Sequence, residues 1–373
     1  MTPARVVRNR NVNRAQVHQP DHSSAAFHAT LPGFAPTPLR VAPRCAESLG
    51  VRSVQVKDEA ARLGMPAFKI LGASWATYRA IMEHLGCPES EAPSLEELQK
   101  AVIDSGLELT LVAATDGNHG RAIAQVAQLL DCASIVFVPS GTVESRIAGI
   151  VAEGADIRLV EGNYDAAIRA SAALADDTHL VISDTSWEGY SRVPKFVIDG
   201  YQTLLDEVVG EIEAGRCPEP TVVVAQMGVG AFSSAVARAF AARPARLLVG
   251  VEPTAADCLT TSVASGHLTV IAETAATSMA GLNCGTPSIL AWPDNLHGFD
   301  VLCTVEDSDA EQATRVLHED GIDAGESGAA GVAGLLRHGR ELGLDRKDDV
   351  LVFVTEGVTD PVNFATIIGS EGS

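Results

Sequence analysis

The sequence predicts an α/β fold built on mostly parallel sheet, and three observations predict it. Short Val-rich runs recur from residue 54 to residue 354, Ala-rich helix-forming segments separate them, and apolar residues make up 46% of the 373 positions against 20% charged. Near-continuous apolar strands are those buried on both faces, as in parallel sheets covered by helices. Strand–helix alternation is what right-handed crossover connections require. The length allows a large core, no repeat at a fixed period is present, and no apolar run reaches the ~20 residues that span a bilayer.

Taken in order, the first twenty residues carry Arg5, Arg8, Arg10 and Arg14 and no acid. They lack the apolar stretch of a secretory signal and read as an exposed arm or edge strand. Val54-Gln55-Val56 is the first buried strand, and Ala73–Leu85 the helix after it. Thr110–Ala113 leads into a helix over Gly120–Leu130, and Ile135–Val138 and Ile157–Val160 are the next strands. Val222–Ala225 precedes a helix over Phe232–Ala242. Leu247–Val251, a helix over Asp309–Glu319 and the strand Leu351–Val354 complete the pattern. Unbranched residues and alanine favour the helices. Two acidic stretches, Glu83–Glu108 and Asp206–Glu213, read as solvated helix faces.

The chain holds 48 Asp and Glu against 27 Lys and Arg, a net charge of −21. That balance argues against a nucleic-acid binder working by phosphate neutralisation. Seven scattered cysteines without a Cys-x-x-Cys pair make neither a disulfide scaffold nor a zinc site, and they suit a reducing cytoplasm. The partners expected are small molecules, with no nucleic acid and no membrane.

Three segments carry chemistry. Lys69 begins a helix inside the apolar stretch Ala67-Phe68-Lys69-Ile70-Leu71, where desolvation and helix-terminal N–H groups favour a neutral, reactive amine. Thr115-Asp116-Gly117-Asn118-His119-Gly120 follows a strand and precedes a helix, the place where α/β sheets bind ligands. In it Asp116 is placed to carry a proton, while His119 reads as a loop residue rather than a base. Gln226-Met227-Gly228-Val229-Gly230-Ala231-Phe232 is again strand, loop and helix, and its amides form a phosphate cradle without Lys or Arg. Gly228-x-Gly230-x-x-Ser233, with Glu252 ending the next strand, also approaches the dinucleotide fingerprint, so a nicotinamide-dependent oxidoreductase is an alternative here.

Together these segments resemble the fold-type-II pyridoxal-phosphate (PLP) enzymes, and in finer features the diaminopropionate ammonia-lyase family. The resemblance rests on Leu31–Leu39, Ala67-Phe68-Lys69, Asp116–Gly120, Asp184-Thr185-Ser186-Trp187-Glu188-Gly189-Tyr190, Met279–Gly285, Gly325–Ala329 and Thr355–Asp360. It runs from about Phe27 to Asp360. It implies two open twisted, mostly parallel sheets flanked by helices, with the cofactor in the interdomain cleft. The larger domain would span residues 1–74 and 206–373, and a smaller mobile one residues 75–205.

By matching position, the resemblance makes Lys69 the residue that bonds PLP and sets Asn118 beside the cofactor's phenolic oxygen. Gly228, Val229, Gly230, Ala231 and Phe232 would hold its phosphate, and Thr355 would face its pyridine nitrogen. Lys69, Asp116 and Asp184 would be catalytic, and Asp116, Gly117, His119 and Asp184 would contact substrate. The implied reaction is elimination of 2,3-diaminopropionate, D or L, to pyruvate and ammonia, by a cytoplasmic homodimer. A dehydratase of serine or threonine, or an eliminase of another β-substituted amino acid, is the alternative within the same chemistry. Asp184 also reads as the N-cap of a helix starting near Thr185. Cys258 and Cys284 match two family cysteines and read as unpaired buried thiols. Ala60, Lys195, Asp199 and Val358 depart from the family's usual residues.

Overall fold

The computed structural model of the protein describes residues 3–88, 90–115 and 117–369. Its strands, in chain order, are β1 (Val6–Arg8), β2 (Leu39–Val41), β3 (Ser53–Asp58), β4 (Thr110–Ala114), β5 (Ala133–Pro139), β6 (Asp156–Val160), β7 (His179–Val181), β8 (Val222–Gln226), β9 (Leu247–Pro253), β10 (Val301–Val305) and β11 (Asp349–Val354). The α-helices are α1 (Ser24–His28), α2 (Pro43–Leu49), α3 (Lys69–His84), α4 (Leu95–Ser105), α5 (Asn118–Leu129), α6 (Glu144–Ala152) and α7 (Tyr164–Ala172), followed by α8 (Arg192–Glu213), α9 (Ala231–Phe240), α10 (Cys258–Ser265), α11 (Trp292–Gly298), α12 (Asp307–Glu319), α13 (Glu326–Leu342) and α14 (Pro361–Ile368). Among the described residues no helix is long and apolar enough to cross a membrane.

These elements form two units. The first comprises Met1–Pro20, Pro36–Ala61 and Leu204–Ser373. Its seven-stranded sheet runs β1-β10-β9-β8-β11-β3-β2, parallel except for the two edge strands. β8, β9 and β11 are buried along their whole length, as the Val-rich runs predict, and so is β10, which no predicted run covers. The N-terminal arm is an edge strand: β1 pairs antiparallel with β10. Its arginines are partly spent on local acids, Arg5 on Asp257 at 2.7 Å and Arg14 on Asp300 at 2.6 Å.

The second unit comprises Asp21–Ala35 and Arg62–Thr203 and carries the four-stranded parallel sheet β6-β5-β4-β7. β6 departs from the buried-strand expectation because it is the edge of this sheet, with Leu159 61% exposed. Residues 62–74, including Lys69, belong to this unit. The reason is the packing of α3 against the first half of α8. Phe68 lies 4.5 Å from the Tyr201 ring, and a Cβ at Gly72 would come within 2.5 Å of that ring. A Cβ at Gly200 would stand 2.6 Å from the Leu71 carbonyl oxygen, so the two helix backbones touch directly.

Of the acidic stretches, α4 keeps its expected outer face, with Glu96 and Glu97 in its first turn and Ser94 capping the Glu97 amide. Glu89 lies outside the described residues. The stretch over Asp206–Glu213 needs a correction at Glu207, whose carboxylate turns inward to Lys57, a side chain only 1% exposed. The Lys57 amine also donates to the Thr37 carbonyl at 2.7 Å. A lysine buried this deeply requires a counter-charge, and Glu207 supplies it, with the buried Glu59 3.9 Å away as a second carboxylate.

Because backbone opposes backbone at the α3–α8 crossing, Gly200→Ala has no side chain to push aside. We expect it to destabilise the protein by about 1–3 kcal/mol, measured as a lowered urea midpoint, whereas Gly210→Ala, with open space around it, stays near wild type.

Candidate active site

Within the second unit, Lys69 is the first residue of α3, and its amine donates to Asp184 Oδ2 at 2.7 Å. The same amine lies 5.5 Å from the Phe68 ring centre and 6.0 Å from that of Tyr201. The apolar setting expected for the lysine is therefore present, with a carboxylate added to it. Asp184 is 5% exposed, and its other oxygen accepts from the Tyr164 hydroxyl at 2.8 Å. Burial by itself would raise the Asp184 pKa. The Lys69 charge and the hydrogen bonds from Lys69 and Tyr164 outweigh it and hold the carboxyl well below the usual carboxylate range.

No helix begins at Thr185, so the N-cap reading of Asp184 is not what the chain does. Residues 184–190 form a tight loop instead. Trp187 and Tyr190 pair across it with their rings stacked at 4.2 Å, and Gly189 supplies the left-handed corner at φ +83°. The Tyr190 hydroxyl donates back to the Val181 carbonyl at 2.7 Å and accepts from the Ser183 amide at 3.2 Å. The loop thus anchors Asp184 from both sides to the end of β7.

Asp116 lies outside the described residues. Gly117 follows it, with its amide spent on Thr115 Oγ1 at 2.9 Å. A Cβ at Gly117 would sit 3.1 Å from the guanidinium of Arg146, a buried cation on α6 that sequence reading did not single out. Asn118 opens α5. His119 is 3% exposed, and its Nε2 lies 2.8 Å from the Ile182 carbonyl oxygen, which can only accept. Nε2 therefore carries the proton and Nδ1 is the lone-pair nitrogen, buried without a hydrogen-bond partner among the described residues. Burial lowers the His119 pKa, with Lys69 adding to the effect and Asp184 opposing it, so the ring is neutral.

In the first unit the chain leaves β8 through Gly228-Val229-Gly230 and enters α9 with Gly230 in the left-handed region at φ +98°. A Cβ on Gly228 would come 3.3 Å from both Cys284 Sγ and the Gly281 carbonyl oxygen, and one on Gly230 would come 2.7 Å from Asn295 Nδ2. No side chain caps the start of α9. Ser233 instead donates to Asn295 Oδ1 at 2.6 Å and Ser234 to Asp294 Oδ2 at 2.6 Å. Phe232 packs edge-on against Phe353 at 5.3 Å. Thr355 follows β11, next to β8 in the sheet, and is 5% exposed. Neither Cys258 nor Cys284 is in a disulfide.

A family profile described as "Pyridoxal-phosphate dependent enzyme" matches residues 30–356. The chain belongs to the pyridoxal-phosphate dependent enzymes. Among them it is similar to the diaminopropionate ammonia-lyase of Escherichia coli K12, 34% identical over 364 residues that cover 92% of this chain and 89% of the relative. The Salmonella typhimurium enzyme of that name is 33% identical, over 93% of this chain and 91% of the relative. The crystal structure of the E. coli diaminopropionate ammonia-lyase in complex with D-serine superposes with a TM-score of 0.88 at 31% identity, covering 99% of this chain and 97% of that one. Tomato threonine deaminase isoform 2 shares the fold, with a TM-score of 0.74 at 20% identity and coverage of 100% and 93%. The two-sheet, fold-type-II architecture and the cofactor expected from sequence are those of this pyridoxal-phosphate dependent family.

The residues present fit PLP. A glycine where a Cβ would collide, a second where it would be tight, a left-handed turn and an uncapped helix start make an amide cradle for a phosphate, and a half-buried lysine amine can bond an aldehyde. The nicotinamide alternative fails at Glu252. That side chain is fully buried, its oxygens accept from the Leu259 and Thr260 amides at 2.9 and 2.6 Å, and none of it is left for a ribose. The residues that sequence reading missed, Tyr164, Arg146 and Asn295, act through tertiary contacts between elements distant in sequence.

Burial pushes the Glu252 carboxyl up from 4.5 to about 7, against the hydrogen bonds from α10. Because the folded chain binds this proton more tightly than the unfolded one, its stabilising contribution is complete below pH 4.5 and fades as pH rises through about 7. We therefore expect Glu252→Gln to gain stability relative to wild type as pH rises across that window, measured by paired denaturation midpoints.

Proposed function

We propose that the protein catalyses the α,β-elimination of 2,3-diaminopropionate to pyruvate and ammonia. One observation carries the reading: a buried carboxylate, Asp184, stands 2.7 Å from the Lys69 amine and is held there by Tyr164. When bound, PLP draws electrons from an attached amino acid and makes its Cα–H acidic. The chain must then hold the cofactor, remove that proton and protonate the leaving amine.

Lys69 would bond the cofactor and, as a free amine during turnover, move the Cα proton on one face. The β-amine of diaminopropionate is cationic and leaves only when protonated. An ionised Asp184 would grip it through a charge-assisted hydrogen bond, which a serine or threonine hydroxyl reproduces only as a neutral bond. Asp116 would serve the opposite Cα face and extend turnover to the D-isomer. The leading amides of α5, beginning at Asn118, would receive the substrate carboxylate, while Gly117, its own amide committed to Thr115, shapes the turn. His119, neutral, would offer Nδ1 only as an acceptor. Asn118 would lie beside the cofactor's phenolic oxygen, Gly228 to Phe232 would hold its phosphate, and Thr355 would face its ring nitrogen.

The identity to the E. coli and Salmonella diaminopropionate ammonia-lyases supports the substrate, and the D-serine held by the E. coli enzyme supports a site that admits D-configured amino acids. We place the protein in the cytoplasm as a homodimer. Seven cysteines, none of them in a disulfide, and the family resemblance support that placement.

Pyruvate release from D- and L-diaminopropionate, assayed beside serine and threonine, tests the substrate. We expect kcat/KM for diaminopropionate to exceed that for the hydroxy amino acids by about 100-fold, the scale on which a missing charged contact discriminates; equal or better turnover of serine or threonine refutes it. Asp116→Asn should abolish D-isomer turnover while sparing the L-isomer. Tyr164→Phe removes a donor that lowers the Asp184 pKa, so the acid limb of the kcat/KM profile should move to higher pH.

A further inference from the structure

We propose that Gln226 is a positioning residue that biases the Thr355 hydroxyl toward donating, so that the site favours the cofactor with its ring nitrogen unprotonated. The inference rests on the reading of Thr355 as the neighbour of that nitrogen. Gln226 is the last residue of β8 and Thr355 the first after β11, so they sit at the same ends of two adjacent parallel strands.

The amide can have only one orientation. Gln226 is 2% exposed, and its Nε2 lies 2.9 Å from the Phe353 carbonyl oxygen, 3.3 Å from that of Gly328 and 2.7 Å from Thr355 Oγ1. Two of these three neighbours are backbone carbonyls, which accept and never donate. Turned the other way, the amide oxygen would face both of them. The NH₂ end is therefore held there by its surroundings. The price is visible on the other side, where Oε1 is buried with no hydrogen-bond partner among the described residues.

The polarity of the hydroxyl follows. An amide nitrogen has no lone pair to offer, so the contact of 2.7 Å can only be Gln226 donating and Thr355 Oγ1 accepting. The threonine proton then points away from Gln226 and is left to be given. A donor hydroxyl matches the lone pair of a neutral pyridine and opposes the N–H of a pyridinium. Thr355 alone, free to rotate, could serve either; by filling one of the hydroxyl's two acceptor positions, Gln226 favours the donor role. The group that sets the electronic character of the cofactor is thus a neutral amide, itself kept from the ligand by the threonine it orients.

The test uses the holoenzyme loaded with PLP carrying ¹⁵N in the ring. The wild-type resonance should sit at the unprotonated pyridine position and stay there through neutral pH. In Gln226→Glu, a buried neutral carboxylic acid has one proton to give; it donates to the Phe353 carbonyl and turns its other oxygen to Thr355. The hydroxyl reverses, so the resonance should move upfield toward pyridinium and the cofactor Kd should rise about tenfold, the value of one hydrogen bond. Gln226→Met, which adds no acid, should leave the nitrogen free to titrate near neutral pH and serves if the glutamate variant does not fold. A protonated nitrogen in the wild-type protein, or an unchanged spectrum in the folded variants, overturns the role of Gln226. Thr355→Val separates the two readings: if it moves neither the resonance nor the Kd, Thr355 is not the neighbour of the nitrogen and the underlying assignment fails.

Discussion

Everything proposed for the first unit depends on how closely backbone can approach an anion between β8 and α9. A phosphate bound by amides alone needs N–H groups that no side chain covers. At this turn Gly228 and Gly230 stand where a Cβ would meet Cys284, Gly281 or Asn295. The serines that follow, which could have capped the helix, are drawn off by α11. Their hydroxyls bond Asn295 and Asp294, and the start of α9 is left uncapped. Asp294, although fully buried, is answered by Arg238 at 2.7 Å, so the carboxylate behind the cradle does not act as an open negative charge toward a ligand. This reconciles a chain of net charge −21 with an anionic cofactor. A surface field is screened within about 10 Å, whereas the amides act at contact.

The second unit solves a different problem, that of holding a lysine amine ready in a mostly apolar place. Aromatic faces from Phe68 and Tyr201 border it, and Asp184 supplies the counter-charge. Asp184 in turn owes its position to a short loop pinned by Tyr190 and to one hydroxyl from α7. The lysine, the carboxylate and the tyrosine come from three elements, α3, the loop after β7, and α7. That is the arrangement expected where rigid α/β scaffolding presents reactive groups from strand ends and loops.

Much of this was legible in the sequence. The Val-rich runs became strands because burial on both faces leaves no room for alternation, and two of the three motif segments became strand–turn–helix junctions, while Lys69 opens its helix after a longer loop. β10 was not legible, since Cys303 and Thr304 interrupt its apolar run and its identity comes from pairing with β9 and β1. Glu207 shows the limit of reading charge from composition. Four acids in eight residues look like a wet face, yet one of them neutralises a buried lysine across the unit. Glu252 shows the limit of reading spacing, because it stands where a ribose partner would be and spends both oxygens on α10. Tyr164 carries no local signal at all, and Gln226, although it heads the glycine-rich segment, carries no signal of its role. Their importance lies in what they face, residues 20 and 129 positions away.

The pairing of β3 with β11 in the large sheet has a consequence for how the chain is made. β3 and β11 lie side by side, yet Ser53 and the Asp349 it bonds are 296 residues apart. A ribosome delivering the chain from its N-terminus presents β3 early and must finish nearly the whole protein before β11 exists to cover it. The second unit, drawn almost entirely from one continuous stretch, meets no such delay and can close first, with local contacts and short loops. During synthesis β3, with Val54 and Val56 destined for the core, therefore waits unpaired on that side. Its exposure time is set by translation speed, and it needs protection until the last strand arrives.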